Sequence, residues 1–165
     1  MKTKLTMLVC VAMFLMNGVC LASVRDDQIA LGGVPIAATQ DYVRSVYGEP
    51  SNIKKVSADM VVWQYGDSFD VRFRYMRINT SGYHVTGIRS KRANGIATPD
   101  GITVGDSVDK MWDMLGEHDY VYPHKGFDVY EYYAEPYRKM SFFVQEGVVR
   151  IIVCSRSDEM SDKQW

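Results

Sequence analysis

The sequence predicts an α+β fold of two tandem repeats, each a short helix followed by a three-stranded antiparallel meander, with the helices packed on one sheet face. Three observations carry that expectation. The stretch Val34-Pro35-Ile36, Thr39, Val43 and Val46-Tyr47-Gly48-Glu49 is echoed at a constant offset by Ile102-Thr103-Val104, Ser107, Met111 and Met114-Leu115-Gly116-Glu117. An aromatic strand signal follows each echo, Val62-Trp63-Gln64-Tyr65 and then Val129-Tyr130-Glu131-Tyr132. Between them, Phe69, Val71, Phe73 and Tyr75 alternate with Asp70, Arg72 and Arg74, the period of a strand with one buried side. Self-similarity of this length marks a folding unit used twice.

The first repeat is expected over residues 29–90. Thr39 caps a helix whose apolar stripe is Tyr42, Val43, Val46 and Tyr47; Gly48 ends it and Pro50 keeps it from continuing. Val61 to Tyr65 reads as a strand, Gly66-Asp67-Ser68 as a turn and Phe69 to Ile78 as a second strand. Asn79-Thr80-Ser81-Gly82 has hairpin chemistry, and Tyr83 to Ser90 makes the third strand. Residues 91–101, closing on Pro99-Asp100-Gly101, link the copies. The second repeat, residues 102–155, starts with a helix capped by Asp106 or Ser107 and striped by Val108, Met111, Trp112 and Leu115. A loop through Pro123 and Gly126 leads to strands at Phe127 to Tyr133, Arg138 to Val144 and Val148 to Ser155. Their turns are Glu135-Pro136 and Gln145-Glu146-Gly147, and residues 156–165 read as a loose polar tail.

The N-terminus has the layout of a secretory signal over residues 1–22: basic Lys2 and Lys4, an apolar run from Leu5 to Met16, and small residues up to Ala22. Cleavage after Ala22 is expected, with Cys20 and Ala22 as the small residues. The alternative is an uncleaved anchor, against which Asn17-Gly18 interrupts the apolar run. Cleavage leaves 17 basic and 20 acidic residues and only Cys154. One thiol cannot build a disulfide framework, so the fold must rest on an apolar core. A balance this close to neutral argues against a nucleic-acid partner, and nothing beyond the signal reads as a membrane span.

The pattern apolar-x-apolar-Gly-x-Ser/Thr, then an apolar helix face closed by Leu-Gly-Glu/Lys-Pro and a Trp/Tyr-rich strand, resembles that of the SmpA/OmlA-like (BamE-like) envelope proteins. It equally resembles the tandem-repeat fold of beta-lactamase inhibitor protein. The matching residues are Ile102, Val104, Gly105, Ser107, Met111, Leu115, Gly116 and Glu117, and in the first copy Ile36, Thr39, Val43, Gly48, Glu49, Pro50, Trp63 and Tyr65. The chain departs from the pattern at Ala37, where Gly is usual, at His118, where Pro is usual, and in lacking an acylated cysteine. The resemblance implies an exported bacterial protein that binds another protein through its sheet or loops, with no enzyme chemistry and no cofactor.

Read directly, the residues offer no catalytic set. Cys154 ends an apolar strand, where an inert thiol is the ordinary outcome. His118, Asp119 and His124 do not have the spacing of a recognised metal site. Gly32-Gly33 lacks the further glycines of a phosphate cradle and reads as backbone permissiveness. Asp26-Asp27 and Asp158-Glu159 sit near the termini, and Asn79-Thr80-Ser81 is a formal glycosylation sequon. The partner-binding candidates are Arg72 and Arg74 on one strand face, Gln64 beside them, and Tyr120, Tyr122, Tyr130 and Tyr132 in the second copy. Arginine and aromatic side chains are what recognition surfaces concentrate. The expected function is non-enzymatic binding of a protein partner in the cell envelope or outside the cell. The alternative is binding of a small ligand or cell-wall fragment by the tyrosines.

Overall fold

The computed structural model describes residues 24–77, 81–134 and 137–157. The expected signal over residues 1–22, the sequon at Asn79, the turn Glu135-Pro136, Asp158-Glu159 and all but the start of the expected tail lie outside the described residues. After a single 3-10 turn at Asp26–Gln28, β1 (Ala30–Leu31) and β2 (Val34–Pro35) pair across Gly32-Gly33. Gly32 has φ +60°, and a Cβ there would fall on the Tyr47 hydroxyl, which donates to the Gly32 carbonyl at 2.7 Å. Only glycine fits that joint.

Helix α1 (Gln40–Tyr47) is followed by β3 (Asn52–Lys55), β4 (Met60–Tyr65), β5 (Phe69–Met76) and β6 (Gly82–Ser90). Helix α2 (Val108–Leu115) is followed by β7 (Tyr120–His124), β8 (Phe127–Ala134), β9 (Arg138–Gln145) and β10 (Val148–Arg156). All eight strands from β3 onward form one antiparallel sheet in the order β3-β4-β5-β6-β10-β9-β8-β7. The seam pairs β6 with β10, placing Ile88 opposite Cys154 and Gly87 opposite Ser155.

This architecture corrects the expected fold class. Two helix-plus-three-stranded-meander units do not pack as an α+β pair; a single eight-stranded sheet dominates the molecule, with only two short α-helices among the described residues. The sequence reading misses β3 and β7, the two edge strands. All four residues of β3 are exposed, so it carries no buried alternation, and β7 contains Pro123, which an edge strand tolerates but which reads as loop. It also misses the seam, because strand periodicity is local and says nothing about which strands meet.

Matched backbone joints deliver the chain into each helix. Ala37 donates its N–H to the Val85 carbonyl and Val85 returns one to Ala38, both at 2.8 Å. Gly105 donates to Val149 at 2.8 Å and Val149 to Asp106 at 2.9 Å. Thr39 and Ser107 are the N-caps, their hydroxyls accepting the N–H of Tyr42 and Lys110 at 3.2 Å. At the C-caps, Tyr65 and Tyr132 donate to the carbonyls of Gly48 and Gly116, each at 3.2 Å.

Cross-strand register sorts the side chains into two faces. Val43, Met111 and Leu115 of the helices join Trp63, Phe69, Val71, Phe73, Val85, Ile88, Tyr132, Met140, Phe142, Ile152 and Cys154 in one continuous apolar cluster. The opposite face carries Gln64, Asp70 and Arg89 in one half and Ser141, Glu131 and Tyr120 in the other, aligned as a row across the sheet. No helix among the described residues is long and apolar enough to cross a membrane.

Candidate functional site

Strand register divides the seven sequence candidates. Arg72 lies opposite Val62 and Gly87 and is 1% exposed, with Nη2 donating to the Thr86 carbonyl at 3.5 Å. Arg74, two residues on, is one-third exposed, its Nε 3.8 Å from Asp59. Gln64 is partly exposed and accepts from Asn52 Nδ2 at 2.6 Å. Tyr132 points into the core at 0% exposure. Tyr122 donates to Glu131 Oε1 at 3.0 Å, while Tyr120 is 63% exposed and edge-on to Tyr133. Tyr130 is half-buried on the helix side of the sheet. The candidates therefore do not form one patch. Arg72 and Tyr132 work inside the fold, and the accessible ones lie on different faces.

Two buried carboxylates anchor the polar face. Asp70 meets Arg89 and Lys91 at 2.6 and 2.9 Å. Burial pushes its pKa up, but the hydrogen bonds and charges of Lys91 and Arg89 outweigh burial and hold it below the usual carboxylate value. Glu131 accepts from Lys139 Nζ (2.7 Å), the Tyr133 and Tyr122 hydroxyls (2.7 and 3.0 Å) and Ser141 Oγ (3.2 Å). Burial again raises and the Lys139-centred contacts lower its pKa, with a net depression.

The helix side of the outer sheet holds an aromatic cluster that sequence reasoning missed. Trp112, expected in the buried stripe of α2, is 41% exposed and packs edge-on against Tyr130 at 6.0 Å between ring centres. His118 stands perpendicular to the same Tyr130 ring at 5.0 Å. Val121, the cross-strand partner of Tyr130, is 50% exposed, as is Met114. The missed signal is that Arg44 occupies the position of Trp112 in the first helix, which marks that position as outward.

The corresponding place in the first half is built differently. The Arg44 guanidinium lies 4.9 Å over the Trp63 ring and pairs with Glu49 at 2.6 Å and Asp41 at 3.1 Å. Ile53 opposes Trp63 and is 56% exposed. By backbone equivalence, Asp41, Arg44, Glu49, Ile53 and Trp63 answer to Asp109, Trp112, Glu117, Val121 and Tyr130.

The remaining candidates are structural. Cys154 is fully buried, its Sγ 3.4 Å from the Ala30 carbonyl, and burial pushes the thiol pKa far up, the opposite of an activated nucleophile. His118 and His124 each pack on an aromatic ring, and the Asp119 carboxylate accepts the Tyr133 N–H at 2.7 Å. Among the described residues no three His, Cys, Asp or Glu side chains are placed to hold a metal. A cleft of about 220 Å³ lies between Ile36, Ala37, Met76, Val85, Tyr137, Arg138 and Arg156, below the usual size of a small-molecule site.

No protein-family model and no curated protein matches the sequence. Among solved structures, the chain is similar to a DUF4309 family protein (YjgB) of Bacillus subtilis, with 15% identity, a TM-score of 0.48, and 75% of this chain covering 82% of that one. It is also similar to a cysteine-rich secretory protein of Staphylococcus aureus, with 4% identity, a TM-score of 0.46, and 79% of this chain covering 50% of that one. An extracellular protein containing an SCP domain, from Bacillus anthracis, gives 10% identity and a TM-score of 0.50, with 74% of this chain covering 44% of that one. The chain thus spans half or less of the length of the latter two. What the Bacillus anthracis comparison shows is a shared fold.

Proposed function

We propose that this is an exported bacterial protein that binds a protein partner in the cell envelope or outside the cell, without catalysing a reaction. The carrying observation is the cluster of exposed Trp112 and Val121 around half-buried Tyr130, set on helix and sheet and rimmed by charge. An exposed indole with exposed apolar neighbours and a polar rim is what protein-recognition surfaces present. The signal-like segment at residues 1–22 supports export, and the extracellular Bacillus anthracis protein of the same fold agrees with that placement. The resemblance to the SmpA/OmlA-like proteins and to beta-lactamase inhibitor protein points to binding through sheet and loops. Pull-down of the mature protein from envelope extract is expected to recover one protein reproducibly. Recovery of a bound small molecule and no protein would overturn the reading.

One observation favours a second reading. Tyr120, 63% exposed beside Tyr133, offers a ring on which a sugar can stack. A cell-wall fragment bound there would raise the melting temperature in a thermal-shift screen, and a screen with no shift would remove it.

A further inference from the structure

We infer that the Trp112–Tyr130 cluster receives an arginine side chain of the partner, held between the exposed indole and the carboxylates of Asp109 and Glu117; this rests on the protein-partner reading above. The first half of the molecule shows the same arrangement already filled. There the chain's own Arg44 lies over Trp63 and is clamped by Glu49 and Asp41. In the second half both carboxylates recur, as Asp109 and Glu117, and an aromatic ring recurs, as Tyr130. The guanidinium alone is missing, replaced by an indole.

That replacement leaves an acceptor without its cation. Asp109 and Glu117 are exposed, and among the described residues neither has an ion-pair partner. The single cation of α2, Lys110, is turned away, donating to Asp106 at 2.8 Å and to the Gly101 carbonyl at 3.1 Å. Trp112 meets Tyr130 at 74° between ring planes and keeps 41% of its surface exposed, so indole surface remains available to a partner. Among aromatic rings, indole is the best partner for a cation. Arginine suits the place better than lysine, because its planar guanidinium stacks on a ring while its N–H edge pairs with carboxylates. Asp128, near enough to act on the Tyr130 hydroxyl, and exposed Asp113, next to Trp112 in the chain, add negative charge, which favours approach of a basic segment.

The test uses the purified protein and two dye-labelled peptides, hexa-arginine and hexa-glutamine, followed by fluorescence anisotropy at physiological salt. Hexa-arginine is expected to bind and hexa-glutamine not to. Trp112→Ala, and separately the pair Asp109→Asn with Glu117→Gln, are expected to weaken binding about tenfold or more. Asp41→Asn with Glu49→Gln, in the half whose cation is already in place, is expected to leave it unchanged. Trp112→Arg supplies the missing guanidinium from the chain itself, so it should abolish peptide binding without lowering the melting temperature. Equal binding to Trp112→Arg and to the unaltered protein would overturn the inference. So would an envelope protein captured equally by both, although that result would leave the partner reading standing.

Discussion

Ala37 carries φ +73°, a conformation its glycine counterpart Gly105 (φ +106°) adopts without a Cβ penalty. The joint is fixed by the Ala37 and Val85 hydrogen bonds, so the backbone cannot relax. Left-handed geometry costs a non-glycine residue about 1–2 kcal/mol, of which glycine's greater unfolded-state freedom offsets roughly 0.5–1 kcal/mol. Ala37→Gly is therefore expected to raise stability by up to about 1.5 kcal/mol and Gly105→Ala to lower it by a similar amount. Urea titrations of the two variants check both signs. Cys154 makes a second expectation at this scale. Its thiol is fully buried and its pKa driven up by burial, so alkylation of the native protein at neutral pH should proceed only as fast as the protein opens. Rapid labelling without denaturant would contradict that burial.

At the scale of the strands, the polar face rests on two charged clusters inside the sheet. Lys139 and Glu131, on neighbouring strands, are 5% and 4% exposed in their side chains. Removing one partner leaves an uncompensated buried charge, so Lys139→Ala is expected to cost about 3–5 kcal/mol. Pairing Lys139→Met with Glu131→Gln should recover most of that loss, since the Gln oxygen can accept from one tyrosine hydroxyl while its NH2 donates to the other; chemical denaturation of single and double variants measures the difference. Both Asp70 and Glu131 have folded-state pKa values below their ordinary ones. Their contribution is fully present above the unfolded carboxylate range near pH 4 and is lost as pH falls through the lower folded values. The urea midpoint should hold between about pH 7 and 5 and drop towards pH 3. Glu131→Gln should flatten that drop. These strands also show how far local pattern reaches. The alternation of Phe69, Val71 and Phe73 against Asp70, Arg72 and Arg74 is readable from sequence, and the structure puts the first set in the core. The burial of Arg72 is not readable, because it follows from Gly87 and Val62 standing opposite on other strands.

For the whole molecule, the β6–β10 seam decides cooperativity. Core residues from both sides, including Phe73, Ile88, Phe142 and Ile152, belong to one apolar cluster. Unfolding is therefore expected to be a single transition, with far-ultraviolet circular dichroism and tryptophan fluorescence coincident in urea. A fragment ending after Ser90 should not fold alone, since β6 would become an open apolar edge; a folded fragment with a cooperative melt would contradict this. By itself, the sequence determined the two helix-entry segments, the Thr39 cap, the choice of Asp106 or Ser107 for the second cap, the Gly48 and Gly116 stops and the six inner strands. Each depends on residues close in the chain, whose propensities, caps and period-two burial act locally. Only the tertiary structure decided that the strands join in one eight-stranded sheet, that Asn52–Lys55 and Tyr120–His124 extend it at the edges, and that Arg72 and Tyr132 are interior while Trp112 is on the surface. Those outcomes depend on which strands meet across the seam and what stands opposite each residue, which are long-range contacts that no local period encodes.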